Sequence, residues 1–118
     1  RTSFVFVSHN LAVVEHVAHD LLVMYLRRVV ERGSTARVFA QPLHPYTQAL
    51  LAATPTLRAP QRRVPIAGIA AMGEPPSPLA PPPGCAFAAR CPMAQVRCRE
   101  ERPLLREVDG REVACHLA

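Results

Sequence analysis

The longest apolar runs fall in the first half of the chain, and their period changes along it. Phe4-Val5-Phe6-Val7 sits within residues 2–8 as an unbroken β-branched and aromatic run. Such a run suits a parallel-type strand buried on both faces. It ends in the polar triplet Ser8-His9-Asn10, and the spacing then turns helical: Leu11, Val14 and Ala18, with Val13 and Val17, form one broad apolar face. Asn10 or Ser8 is placed to cap that helix, with Glu15, His16 and His19 outward. A strand followed by a helix is half of a βαβ unit.

Residues 21–32 (LLVMYLRRVVER) fit a strand by their β-branched and aromatic content and a helix by the spacing of Leu21, Met24, Tyr25 and Arg28. Two short strands turning near Arg27 and Arg28 is the preferred reading. Gly33 is expected to break that pattern, Ser34 or Thr35 to cap a short helix reaching Ala40, and Pro42 to stop it. A second helix opens at Pro45, carries Tyr46, Ala49, Leu50 and Ala53 at helical spacing, and ends before Pro55.

Composition divides the chain. Ten of the thirteen prolines lie at or beyond Pro60, and Pro75, Pro76, Pro78 and Pro81-Pro82-Pro83 favour extended polyproline geometry that can serve as a stiff spacer or wrap. Two regions are therefore expected, 1–57 and 58–118. The last stretch, 84–118, holds all four cysteines and little apolar periodicity beyond Leu104, Leu105, Val108 and Val113. A piece that small normally needs a cross-link or a metal.

At 118 residues and 49% apolar content the chain has the size and composition of a globular domain. It begins at Arg1 and enters an apolar run at once, which reads as a piece of something longer. No stretch is long and apolar enough for a membrane helix and no signal segment precedes the fold, so a soluble or peripheral protein is expected. The net charge of +5 is carried by arginine alone, since there is no lysine. The arginines are scattered, six in residues 1–59 and eight in 60–118, without the basic stripe or interleaved aromatics of a nucleic-acid binder.

Candidate chemistry is concentrated in few residues. Cys85, Cys91, Cys98 and Cys115 follow C-x5-C-x6-C-x16-C, gaps wider than the usual zinc knuckles. An iron–sulfur cluster tolerates wider gaps, and Pro92 after Cys91 is of the ferredoxin type. Zinc, disulfides and unligated thiols remain open on spacing alone. His116 is either a substitute ligand or a solvated side chain near the chain end. His9 stands where a parallel strand would hand over to a helix, a place where α/β folds put ligand-contacting groups, although it can equally fill a turn. His16, His19 and His44 read as structural or exposed. There is no G-x-x-x-x-G-K-S/T phosphate loop and no Ser/His/Asp set at readable spacing, and Asp20 and Asp109 are the only aspartates.

Four segments together resemble the C-terminal third of ATP-binding subunits of oligopeptide and dipeptide ABC importers: FVSHNLAVVEHVAHDLLVMYL, VFAQPLHPYTQALLAATP, GEPPSPLAPPPGCAFAARCP and CREERPLLREVDGREVACH. The first is common to ABC ATPases; the HPYTQALL helix and the PSPL-to-cysteine run are particular to the peptide-transport branch. The resemblance implies an α/β fragment: the last strand and helix of a P-loop ABC ATPase domain, a short hairpin and two helices, then a Pro-rich, Cys-containing irregular C-terminal extension. It implies that His9 is the switch histidine that contacts the γ-phosphate of ATP. The phosphate cradle and Mg2+ ligands would lie upstream, so the fragment would not hydrolyse ATP alone.

Some members of the family are similar in carrying a 4Fe–4S cluster at this place, which implies Cys85, Cys91, Cys98 and Cys115 as ligands in a structural or regulatory role. Implied partners are a second ATP-binding subunit, membrane permease subunits and, indirectly, a peptide-binding protein, with no nucleic acid, on the cytoplasmic face of the inner membrane. A stand-alone iron–sulfur or zinc-binding interaction module is the alternative, and a disulfide-stapled structural piece the third. The sequence departs from the family at Asn10, where aspartate is usual, and at Ala86 and Ala88, where bulkier polar residues are common. Arg27 replaces the usual glycine of the hairpin turn, where a positive φ would be costly.

Overall fold

The computed structural model describes residues 3–8, 10–53, 77, 79–80 and 82–118. The polyproline reading of the Pro-rich stretch falls almost wholly outside them. Helix α1 spans Leu11–Val17, β1 Asp20–Tyr25, β2 Arg28–Ser34, α2 Thr35–Ala40, α3 Pro45–Ala53, α4 Val96–Glu100, β3 Arg106–Val108 and β4 Arg111–Val113. The four strands make one antiparallel sheet in the order β1-β2-β4-β3.

Of the expected strand at residues 2–8, the described part, 3–8, is not paired as a strand among the described residues. Residues 3–8 form no strand or helix, and Val5 and Val7 are each 98% exposed. The composition is that of a strand, but an isolated strand cannot satisfy its backbone groups, and no neighbour is offered among the described residues. The helix after it does form. Asn10 caps it, its Oδ1 accepting from the Val13 amide at 3.4 Å, yet no α1 residue is buried.

The hairpin reading holds. Val23 and Tyr25 of β1 are buried while Leu22 and Met24 face solvent, the alternation of a sheet with one covered face. The turn between the strands is Leu26-Arg27, with φ of 47° and 66°. Both lie in the left-handed region, as a two-residue turn matching strand twist demands. Arg27 therefore adopts a conformation that glycine takes without steric cost, because strand pairing on either side holds it there. Arg27 is exposed, so Arg27→Gly is expected to stabilise the chain by about 1 kcal/mol in urea unfolding. No gain would show that the turn is unstrained.

Gly33 does not end β2. It pairs with Leu21 inside the strand, and a Cβ there would stand 2.8 Å from the Cβ of Arg111, so its missing side chain admits β4 at close range. The Ser34 hydroxyl then accepts from the Arg37 amide and caps α2, and α3 opens at Pro45 as its spacing predicts.

Beyond residue 84 the chain is more regular than expected. Helix α4 forms, and β3 and β4 turn through Asp109-Gly110, a strong hairpin dipeptide, with φ of 51° and 75°. β4 pairs with β2 through Glu31↔Val113 and Arg32↔Glu112, which ties this segment to the first hairpin. Two apolar clusters result. Val23, Tyr25, Val30 and Phe87 form one, in which Phe87 meets Tyr25 edge-on at 5.2 Å between ring centroids; Leu43, Val113 and Cys115 form the other.

A buried ion pair sits where these parts meet. Glu31, at 0% exposure, accepts from the His44 amide at 2.8 Å and the Leu43 amide at 3.2 Å, and faces Arg111 at 3.8 Å. The Arg111 guanidinium also donates to the carbonyls of Arg37 and Gln41, at 2.9 and 2.5 Å. Burial pushes the Glu31 carboxyl above its usual range, opposed by the His44 and Leu43 amides and by Arg111. The pair locks the loop between α2 and α3 against β2 and β4.

Candidate functional site

His9 lies outside the described residues. Its flanks are placed: the Ser8 hydroxyl accepts from the Asn10 amide at 3.0 Å, just ahead of α1.

The four cysteines, 30 positions apart at the extremes of the sequence, do come together: Cys85, Cys91, Cys98 and Cys115 all line one small cavity of about 10 Å³, room for roughly one water. Three elements deliver them. Cys85 and Cys91 stand on a run of turns in which the Ala88 amide donates to the Cys85 carbonyl and the Cys91 amide to the Ala88 carbonyl. Cys98 is on α4, and Cys115 follows β4. The Cys85 amide donates to the Cys98 carbonyl at 2.6 Å, fastening the first thiol to the third.

Gly84 makes that fastening possible. A Cβ at this position would stand 2.3 Å from the Cys98 carbonyl oxygen and 2.5 Å from the Arg99 carbonyl carbon, both backbone atoms that cannot swing aside. Gly84→Ala is therefore expected to separate Cys85 from Cys98 and to cost about 1–3 kcal/mol, the range for overpacking. Urea unfolding and the rate of thiol labelling measure it; unchanged stability and labelling would remove this role.

All four thiols are free. Burial pushes Cys85, Cys91 and Cys115 up. Cys91 reaches about 11, where the Met93 amide pulls it back and the neighbouring Cys115, Cys85 and Cys98 push it further. Burial thus favours the protonated thiol at Cys85, Cys91 and Cys115.

Among the described residues no group of three or more His, Cys, Asp or Glu side chains is arranged to hold a metal ion. The four free thiols share one cavity, with an orphaned polar atom beside them. That atom belongs to His44, which reads as merely structural or exposed in the sequence. His44 is 1% exposed and lines the cysteine cavity, and its ring lies 5.8 Å from that of Phe87. Its Nδ1 accepts from the Tyr46 amide at 3.0 Å, which leaves the proton of the neutral ring on Nε2, and Nε2 is buried with no partner among the described residues.

Burial lowers the His44 pKa from its usual 6.5 to about 3. Between those values the unfolded chain binds a proton that the folded chain refuses. Stability is then complete above about pH 6.5 and is expected to fall as pH drops through the window, by up to about 1.4 kcal/mol per unit. Equilibrium unfolding of the metal-free chain against pH checks this, and His44→Gln should lose the His44 share of the slope. His116, the other histidine on the cavity, bonds through Nε2 to the Glu101 carbonyl at 2.7 Å and so has its own partner. Ala88 is buried and Ala86 packs against the Tyr25 cluster, so both positions present carbon surface.

A family model described as the oligopeptide/dipeptide transporter C-terminal region matches residues 30–98, more than half of the chain. The chain belongs to this family. Within this oligopeptide/dipeptide transporter family, the chain is 57% identical over its whole length to the di/tripeptide transport ATP-binding protein DppF of Pseudomonas aeruginosa, covering 36% of that protein. It is 52% identical over 113 residues to the dipeptide transport ATP-binding protein DppF of Escherichia coli, covering 33% of it, and 51% identical over 114 residues to DppF of Haemophilus influenzae, covering 34%. The chain thus spans about a third of the length of these relatives. The family match begins at Val30 in β2 and takes in α2, α3, three of the four cysteines and His44; Cys115 and Arg111 lie beyond it. No helix among the described residues is long and apolar enough to cross a membrane.

Proposed function

We propose that this chain is the C-terminal third of the ATP-binding subunit of a peptide importer, the part that carries the switch histidine and a cysteine-bearing extension. The observation that carries the reading is the unbroken 57% identity along all 118 residues to a protein named for di/tripeptide transport and ATP binding. The same relatives are about three times as long, which speaks against a stand-alone iron–sulfur or zinc module.

In this reading, hydrolysis of ATP builds negative charge on the γ-phosphoryl oxygens, and a preplaced donor there lowers the barrier. His9, between an apolar extended run and the capped start of α1, is the residue of this chain assigned to that contact. The phosphate cradle and the ligands of Mg2+ would belong to the rest of the subunit, a reading supported by the lack of lysine and of a phosphate-loop motif in these 118 residues. Residues 3–7 would join the sheet of that remaining part as a strand, which accounts for their exposure here. The partners are a second ATP-binding subunit and the permease subunits, with a peptide-binding protein acting through them, at the cytoplasmic face of the inner membrane.

Residues 1–57 are assigned to the ATPase body and 58–118 to the extension. Cys85, Cys91, Cys98 and Cys115 would hold a 4Fe–4S cluster, which would supply a covalent tie between the turn run, α4 and β4. The whole subunit, reconstituted with its permease in liposomes, is expected to hydrolyse ATP and accumulate a di- or tripeptide, and the 118-residue chain alone to do neither. ATP turnover by the isolated chain would end this division of labour.

A further inference from the structure

Cys85 and Cys98 are held together through the backbone as well as sharing a cavity. The Cys85 amide donates to the Cys98 carbonyl at 2.6 Å, and with standard bond lengths on either side of that contact the two Cα atoms lie no more than about 6.5 Å apart. A disulfide spans Cα separations of about 4.4–6.8 Å, so the chain need not rearrange to bring this pair into range. Gly84 permits the approach, since a Cβ there would stand 2.3 Å from the same carbonyl oxygen. Both cysteines line the cavity of about 10 Å³, which has room for roughly one water and none for an intervening side chain. Burial raises the Cys85 thiol most and a charge on Cys98 raises it further, which puts the two sulfurs within electrostatic reach of each other. Both thiols are free; Cys98 is buried and Cys85 is partly open to solvent, so an outside reagent meets Cys85 first with Cys98 behind it. No group among the described residues is arranged to hold a metal ion, whereas sulfur close to sulfur is what this placement supplies.

We propose that Cys85 and Cys98 are a reversible dithiol–disulfide pair, closed by a low-molecular-weight disulfide, that fastens the turn run to α4. The Cys85 thiolate attacks one sulfur of the reagent, breaking its S–S bond and releasing one reagent thiol, which takes up the Cys85 proton. Cys98 then attacks the Cys85 sulfur of the mixed disulfide, forming the Cys85–Cys98 bond and expelling the second reagent thiol with the Cys98 proton. Two protein thiols are oxidised by two electrons, and one reagent disulfide is reduced to two thiols. The pair needs no bound metal, and a cluster on the same sulfurs would exclude it. In the cytoplasmic setting proposed above, where thiols are kept reduced, such a bond is made under oxidising conditions and undone afterwards.

The test equilibrates the full chain, reduced and freed of metal with a chelator, in anaerobic mixtures of oxidised and reduced glutathione, and then alkylates the remaining thiols. Trypsin cuts after Arg90, Arg97, Arg99 and Arg111, which places each cysteine on a separate peptide. Wild type is expected to lose two of its four free thiols and to yield the Cys85 peptide joined to the Cys98 peptide; dithiothreitol should restore all four. Two double variants isolate the pair. Cys91→Ser with Cys115→Ser should close with an equilibrium constant at least about tenfold higher when folded than in urea, because the fold presents the two thiols to each other. Cys85→Ser with Cys98→Ser should keep both remaining thiols in the same buffers. Circular dichroism shows which variants are folded, and where one is not, the wild-type map decides alone. A wild-type map in which a different pair forms, four surviving thiols in the folded wild type, or a folded equilibrium constant no higher than that in urea would each overturn the inference.

Discussion

Glu31→Ala is expected to cost about 3–5 kcal/mol of folding stability, most of what a small domain has to lose. The carboxylate is fully buried, receives the Leu43 and His44 amides, and is the counter-charge within 3.8 Å of Arg111. Removing it leaves two buried amides without an acceptor and a guanidinium that still has carbonyl partners but no opposite charge. Urea unfolding gives the cost, and a loss below about 1 kcal/mol would show that the carboxylate is not desolvated as described. The double variant Glu31→Leu with Arg111→Met should recover part of it, because the stranded charge goes with its partner. By contrast, the exposed Arg32–Glu112 pair at 3.9 Å lies in the range where such pairs contribute little.

His9→Ala in the whole subunit is expected to lower the rate of ATP turnover about 100- to 1,000-fold, the effect of withdrawing one preplaced donor from a developing oxyanion. Nucleotide binding should be nearly unchanged, because in the proposed division of labour the interactions that hold ATP in the ground state come from the rest of the subunit. Steady-state hydrolysis together with nucleotide titration separates the two. Turnover at the wild-type rate would remove His9 from the chemistry, whereas loss of binding along with turnover would make it a structural residue of the strand-to-helix junction.

The elements with local causes were legible in the sequence. Asn10 and Ser34 are capping residues directly ahead of helical spacing, and Pro45 marks the first turn of α3; each was readable because capping acts within one turn. Residues 3–8 carry the composition of a strand but pair with nothing among the described residues, because burial depends on a neighbour that the sequence of the segment cannot supply. The Asp109-Gly110 turn was a readable signal left unused beneath the cysteine spacing.

The cysteines were identifiable by clustering, but their convergence depends on the Gly84 approach to α4 and on β4 pairing with β2, which no spacing encodes. His44 and the Glu31–Arg111 pair were missed for the same reason. A buried histidine and a solvated one look alike in sequence, and the partners of Arg111 lie 74 and 70 positions away.

That separation bears on how the polypeptide is made. The first hairpin can close as soon as it leaves the ribosome, since its two strands are joined by two residues. The joining of β2 to β4 must wait until Arg111–Val113 has been synthesised, and it then closes a long loop against chain entropy. Throughout that interval the acidic group at position 31 has no guanidinium to meet, so a nascent chain halted a few residues before Arg111 holds an incomplete edge beside an unneutralised carboxylate. Translation of the segment that carries β4 is what allows this sheet to become a single cooperative unit.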